Sequence, residues 1–196
     1  MSKYNIKKIG GFKEEIEEKI EDPLDDSEIR EYLPDAKIFT YKELSKYKNI
    51  NQLLPNPIDY AIILYLDEPS KGHWTAILKY NNKIEMFDPY GIKELDEELD
   101  WVPCTERIKL GVAIPYITRL FNSIKKPQKG ILSTFEYQDD HYNVNTCGRH
   151  VVYRILKLLN NNMNIDEYYK HMKKLRKEFN LTYDEIVSTN INPDIK

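Results

Sequence analysis

The chain has 196 residues, 41% of them hydrophobic, enough for one substantial core and too few for two full domains. Lys and Arg number 29 against 32 for Asp and Glu, a formal net charge of -3, so no global positive excess points to a nucleic-acid partner. Two cysteines and four scattered histidines argue against a disulfide framework or a metal centre. No run reaches the roughly 18 to 20 apolar residues that cross a membrane, and MSKYNIKKIGGFKEE has no signal-peptide apolar region. These features predict a soluble intracellular protein with no metal, no cofactor and no membrane partner.

In chain order, residues 1–50 are charged and weakly patterned, and read as an N-terminal extension ahead of a domain over residues 51–196, whether as a flap, a partner-binding arm or packing for the core. The spacing predicts a helix over Lys13 to Glu21, stopped by Asp22 and Pro23, and a second over Tyr41 to Tyr47. From Ile58, the run IDYAIILYL is short, apolar and rich in strand formers, which predicts a buried strand. A turn over residues 67–72 leads into HWTAILKY, Asn81 and Asn82 make a tight turn, and KIEMFD follows. This pattern predicts a β-hairpin with His73 at the start of one strand and Asp88 at the end of the next. Those two positions lie at the same end of an antiparallel ladder, so the side chains become neighbours in space.

The acidic run Glu94, Asp96, Glu97, Glu98 and Asp100 offers rival carboxylates but reads as a solvated linker face. A helix is predicted from Pro115 to Lys126, ended by Pro127 and Gly130, and ILSTFEY gives a further strand. Residues 138–146 are a polar loop. Cys147 then opens an amphipathic helix with Val151, Val152, Ile155, Leu158 and Leu159 on its buried face, ended by Asn160 to Asn162. Helices over about 165–179 and 182–188 complete the pattern. The expected fold is α+β: a central, mostly antiparallel sheet flanked by helices, with Cys147 at a helix N-terminus.

That placement suits nucleophilic chemistry. A thiolate is stabilised by a helix N-terminus and by an adjacent imidazolium. His73, oriented by Asp88, fits a base that is itself held by a third group. Gln138, with the backbone N–H of Cys147, can donate to an oxyanion, with Asn143 or Asn145 as alternative donors. Gly148 leaves room for a substrate backbone. Other readings exist: Cys147 as an ordinary buried thiol, His150 as a structural histidine, Cys104 as incidental. A phosphatase needs Cys-x5-Arg, but Tyr153 occupies that position and Arg154 falls one residue late.

The ordered set Gly72-His73-Trp74, Phe87-Asp88-Pro89-Tyr90-Gly91, Gln138 and Thr146-Cys147-Gly148 resembles the adenain-like cysteine peptidases, the family of the adenovirus maturation protease. Their wider clan includes the ubiquitin-like-protein-specific proteases and shares the order His, acid, Gln, Cys. The string Phe-Asp-Pro-Tyr-Gly is similar to the Phe-Glu-Pro-Phe-Gly of adenain, and Thr-Cys-Gly-Arg-His is similar to relatives in virophages, Polinton elements and large DNA viruses. The resemblance covers residues 58–160, about half the chain. It departs at one point: nine positions separate Gln138 from Cys147, a few more than in that clan.

The resemblance implies a thiol endopeptidase that cleaves after glycine in viral or virophage capsid precursors, working in the virion and the host-cell cytoplasm. It also implies that Trp74 packs beside the catalytic pair and contacts substrate. DNA or a peptide would be a possible activator through Lys125, Lys126 and Lys129, or through Lys170, Lys173, Lys174, Arg176 and Lys177, which otherwise read as a solvated helix face. The alternative within enzymes is an isopeptidase acting on ubiquitin-like proteins, and outside enzymes an inactive binding module. The segment Ile9-Gly10-Gly11-Phe12 is a candidate self-cleavage site.

Overall fold

The computed structural model describes residues 9–68 and 71–192. Of the predicted turn over 67–72, Pro69 and Ser70 lie outside the described residues. The elements run α1 (Ile9–Glu21), α2 (Asp26–Tyr32), β1 (Ile38–Thr40), a 3-10 turn (Tyr41–Lys46), α3 (Ile50–Leu53), β2 (Asp59–Glu68), β3 (Lys71–Tyr80) and β4 (Lys83–Phe87). After a second 3-10 turn (Glu97–Trp101) come α4 (Cys104–Leu110), α5 (Tyr116–Asn122), β5 (Lys129–Leu132), α6 (Cys147–Asn161), α7 (Ile165–Phe179) and α8 (Tyr183–Asn190). Among the described residues no helix is long and apolar enough to cross a membrane.

The five strands form one mixed sheet whose spatial order follows the sequence, β1-β2-β3-β4-β5. Its two central pairings are antiparallel and its two outer pairings parallel. Asn81 and Asn82, both at positive φ, close the β3–β4 hairpin, a conformation asparagine accepts more readily than most residues. The unbroken apolar run in β2 has a plain cause: both sheet faces are covered. Successive side chains alternate, so Ile62, Trp74, Ala76, Leu78 and Phe87 enter a core shared with α2, α6, α7 and α8. Ala61, Ile63, Tyr65, Ile77 and Met86 enter a second core with the first 3-10 turn, α3 and α5.

A buried ion pair fixes α6 on the sheet. Arg154 donates to both oxygens of Glu85 on β4, from Nε at 2.9 Å and Nη2 at 2.7 Å, and its guanidinium lies over the Tyr80 and Tyr168 rings. The Tyr80 hydroxyl donates to Glu85 at 2.5 Å. Partners this well satisfied are what make a charge tolerable in a core.

Residues from Ile16 to Ile50 pack into the body of the protein, one of the readings that the sequence leaves open. β1 joins the sheet beside β2, and Leu24, Ile29, Leu33, Tyr41, Leu44 and Ile50 are buried. The structure corrects several sequence expectations. The helix expected to reach Lys126 ends at Asn122, where the Ser123 hydroxyl donates to the Leu120 carbonyl and accepts from the Ile50 N–H. The strand expected over ILSTFEY lies earlier, at Lys129–Leu132. Gly10 and Gly11 fall inside α1, so a cut there requires its first turn to unwind.

Candidate active site

β3 carries His73 opposite Tyr65 of β2, and Asp88 follows the last residue of β4, so the hairpin brings the two together as its register requires. His73 Nε2 lies 2.9 and 3.0 Å from the two Asp88 oxygens. The Tyr90 N–H donates to Asp88 at 2.7 Å and sets its rotation. The Cys147 side chain hydrogen bonds to the same His73 ring. Cys147 is the first residue of α6, among N–H groups that lack intrahelical acceptors and beside the positive end of the helix dipole.

The electrostatics favour a charged His73 beside Asp88. Burial disfavours the imidazolium, but Asp88 and Cys147 outweigh it and hold the His73 pKa well above its usual range. Burial also pushes the Asp88 carboxyl up, yet His73, the Glu98 side chain and the Tyr90 N–H bring it below the ordinary carboxylate value. Tyr90 stacks on His73 with ring centroids 4.8 Å apart. Burial, then the charge of Cys147 and Asp88, push its phenol up to about 12, so it keeps its proton.

Gln138 arrives at the site through its backbone. The N–H groups of Tyr137 and Gln138 both donate to the Pro89 carbonyl, at 2.8 and 2.9 Å, which pins the long loop beside Asp88 and Tyr90. The Gln138 amide nitrogen donates to the Tyr90 hydroxyl at 3.2 Å and to the Val144 carbonyl at 3.0 Å, so the nine-residue span bulges back over it. Asn143 and Asn145 are turned to α1: their side-chain amides donate to Glu21 at 3.2 and 2.7 Å, and the Asn145 N–H donates to Ile20 at 2.8 Å. Trp74 lines the cleft while its indole N–H donates to the Leu24 carbonyl at 2.9 Å. Gly148 does not line the cleft. A Cβ there would meet Leu24 at 3.1 Å and Trp74 at 3.2 Å, so its smallness serves the packing of α6 against Trp74 rather than substrate room.

Sequence reasoning missed several participants. Two members of the acidic run are buried, not solvated. Asp96 accepts from the Tyr41 hydroxyl at 2.7 Å and from the N–H groups of Ile117 and Thr118, which caps α5. Glu98, 1% exposed, sits behind Asp88. His150 is fully buried, its Nε2 3.0 Å from Asp184 of α8, and Asp184 also accepts from the Thr146 hydroxyl and, at 3.2 Å, from the Asp139 N–H. Arg149 reaches the carbonyls of Asp22 and Ile191. Cys104 is exposed, and the cationic side chains of α7 face outward. Asp139, Asp140 and His141 gather three donor atoms within 4.8 Å on an exposed loop, without a buried ligand.

His73, Cys147 and Gln138 line one cleft of about 1960 Å³, larger than the roughly 300 to 1,000 Å³ of small-ligand pockets and of a size to take a polypeptide. Its arrangement of thiol, imidazole and carboxylate can perform acyl transfer. No family model matches the sequence, and no solved structure matches the chain. The chain is 30% identical over 154 residues to a Sputnik virophage protein called uncharacterized protein V9, an alignment spanning 78% of this chain and 84% of that protein. On that similarity the chain belongs to the family of Sputnik virophage V9.

Proposed function

We propose that the chain is a cysteine endopeptidase that cleaves after glycine in virophage capsid precursors during virion maturation. The observation that carries the reading is the contact series Cys147–His73–Asp88 at a helix N-terminus in an open cleft. The virophage setting rests on the similarity to V9. The glycine preference rests on the resemblance to adenain-like peptidases.

In this reading His73 holds the proton and Cys147 attacks as thiolate. The carbonyl oxygen becomes an oxyanion that accepts from the Cys147 N–H and from Gln138, whose amide proton must leave the Tyr90 hydroxyl, its longer contact. His73 passes its proton to the leaving amine, and the acyl-enzyme is then hydrolysed by water with His73 as base.

The test is cleavage of a glycine-containing peptide library, with mass identification of products. Cys147→Ala should abolish turnover, Asp88→Asn should lower kcat by about 10³ to 10⁴, and Gln138→Ala by about 10² to 10³. No cleavage by the wild type, with or without DNA, sinks the endopeptidase reading. Labelling of Cys147 by a ubiquitin-like vinyl sulfone, without peptide cleavage, would replace it with the isopeptidase reading.

A further inference from the structure

We propose that Glu98 is a positioning residue of the catalytic site: a neutral carboxylic acid that donates a hydrogen bond to Asp88 and extends the series to Cys147–His73–Asp88–Glu98. The inference rests on the reading of Cys147, His73 and Asp88 as the reacting set. Its geometric basis is that Asp88 is fully buried and Glu98 nearly so, and that neither buried Glu98 oxygen meets a hydrogen-bond donor among the described residues, with Asp88 the side chain that bears on it most strongly. As a carboxylate, Glu98 would leave both oxygens buried without a partner among the described residues. As an acid it is itself the donor, and Asp88 is the acceptor. Two buried carboxyl groups in contact share one proton, because two adjacent negative charges away from water repel strongly.

The surroundings decide which group holds the proton. Asp88 faces the His73 imidazolium and the Tyr90 N–H, so its charge is compensated. Glu98 has the Asp88 carboxylate as its strongest neighbour, and Tyr65 on β2 adds a phenol close enough to feel Glu98, Asp96, Tyr41 and Asp88. Burial, with Asp88, pushes the Glu98 carboxyl up to about 9, against which the more distant His73 works only weakly. The proton therefore resides on Glu98 at neutral pH. Without that donor, burial would raise the proton affinity of Asp88 and weaken its hold on Nε2. His73 would then be a weaker partner for the thiolate.

The test reads Cys147 directly and needs no substrate, so it can fail or succeed independently of the peptidase assignment. Alkylation of Cys147 by iodoacetamide is followed against pH in a Cys104→Ser background for wild type, Glu98→Ala and Glu98→Gln. Glu98→Ala should slow alkylation at neutral pH about tenfold or more, as expected for loss of a charge-assisted hydrogen bond. Glu98→Gln, which keeps an N–H donor but cannot ionise, should recover the rate to within about threefold and should lack the wild-type inflection near pH 9. Infrared spectra at neutral pH should contain a protonated-carboxyl carbonyl band that Glu98→Gln removes. Wild-type alkylation by Glu98→Ala, failure of Glu98→Gln to do better than Glu98→Ala, or absence of that band overturns the proposal. Because the band is measured on the unaltered fold, a misfolded Glu98→Ala leaves the proposal open to refutation.

Discussion

A buried acid that keeps its proton makes the folded state weaker as pH rises. The Glu98 carboxyl ionises near 4.5 in the unfolded chain and near 9 in the folded one, so between those values the native state binds the extra proton. Stability then falls with rising pH, by at most about 1.4 kcal/mol per unit. His73 acts with the same sign: its contribution is full below its ordinary pKa of 6.5 and is lost as pH climbs through the raised folded value. Asp88 acts oppositely, contributing above its ordinary 3.8 and losing that contribution as pH falls through the lowered folded value. Glu98→Gln removes one of these alone. Its melting temperature should exceed that of the wild type by a margin that widens from about pH 5 to about pH 8, at roughly 2 to 4 °C per kcal/mol for a chain of this size. A margin that does not change with pH would mean that Glu98 is ionised in the fold. Hairpin register alone was enough to pair His73 with Asp88, but nothing in the charge run marks Glu98. What turns it inward is a 3-10 turn entered through Asp96 at φ 65°, a backbone state that local composition does not announce.

Among the elements, α6 is held at its first turn by its own polar side chains rather than by apolar packing alone. Asp184 of α8 collects the Thr146 hydroxyl, His150 Nε2 and the Asp139 N–H, and these donors outweigh burial to keep its carboxyl below the usual value. Asp184→Asn weakens that junction, and the expected loss is about 2 to 4 kcal/mol, the range for breaking a buried charged contact. The loss should be largest above the ordinary carboxylate pKa of 3.8 and shrink as pH falls through the lowered folded value. Denaturant titrations at two pH values measure it, and equal losses at both would refute the assignment. The amphipathic period located α6 and α7 closely, since one face of each is core and the other water. It gave no sign of β1 or α2. β1 has three residues, too few for a period, and α2 is recognised by its Asp25–Glu28 capping box more than by any hydrophobic repeat.

At the scale of the molecule, the cleft has an electrostatic sign that the small net charge conceals. Glu21, Asp25, Asp26, Glu136, Asp139 and Asp140 are exposed along it, against the cations of Arg30 and Arg176. On the proposed function, peptides with Lys or Arg flanking the glycine should be cleaved several-fold faster than acidic counterparts, and raising the salt concentration should erase most of that preference. A preference for acidic flanks, or one indifferent to salt, would contradict this. The walls around the thiol come from both ends of the sequence. Asn145 is tied to Ile20 and Glu21, Trp74 to Leu24, Arg149 to Asp22 and Ile191, and Thr146 to Asp184. This gives the chain a timetable: during synthesis from the N-terminus the nucleophile leaves the ribosome tens of residues before α8, and its helix start gains its anchors only after Ile191 is free. On the proposed function, the site is therefore assembled only once α8 can dock on the start of α6.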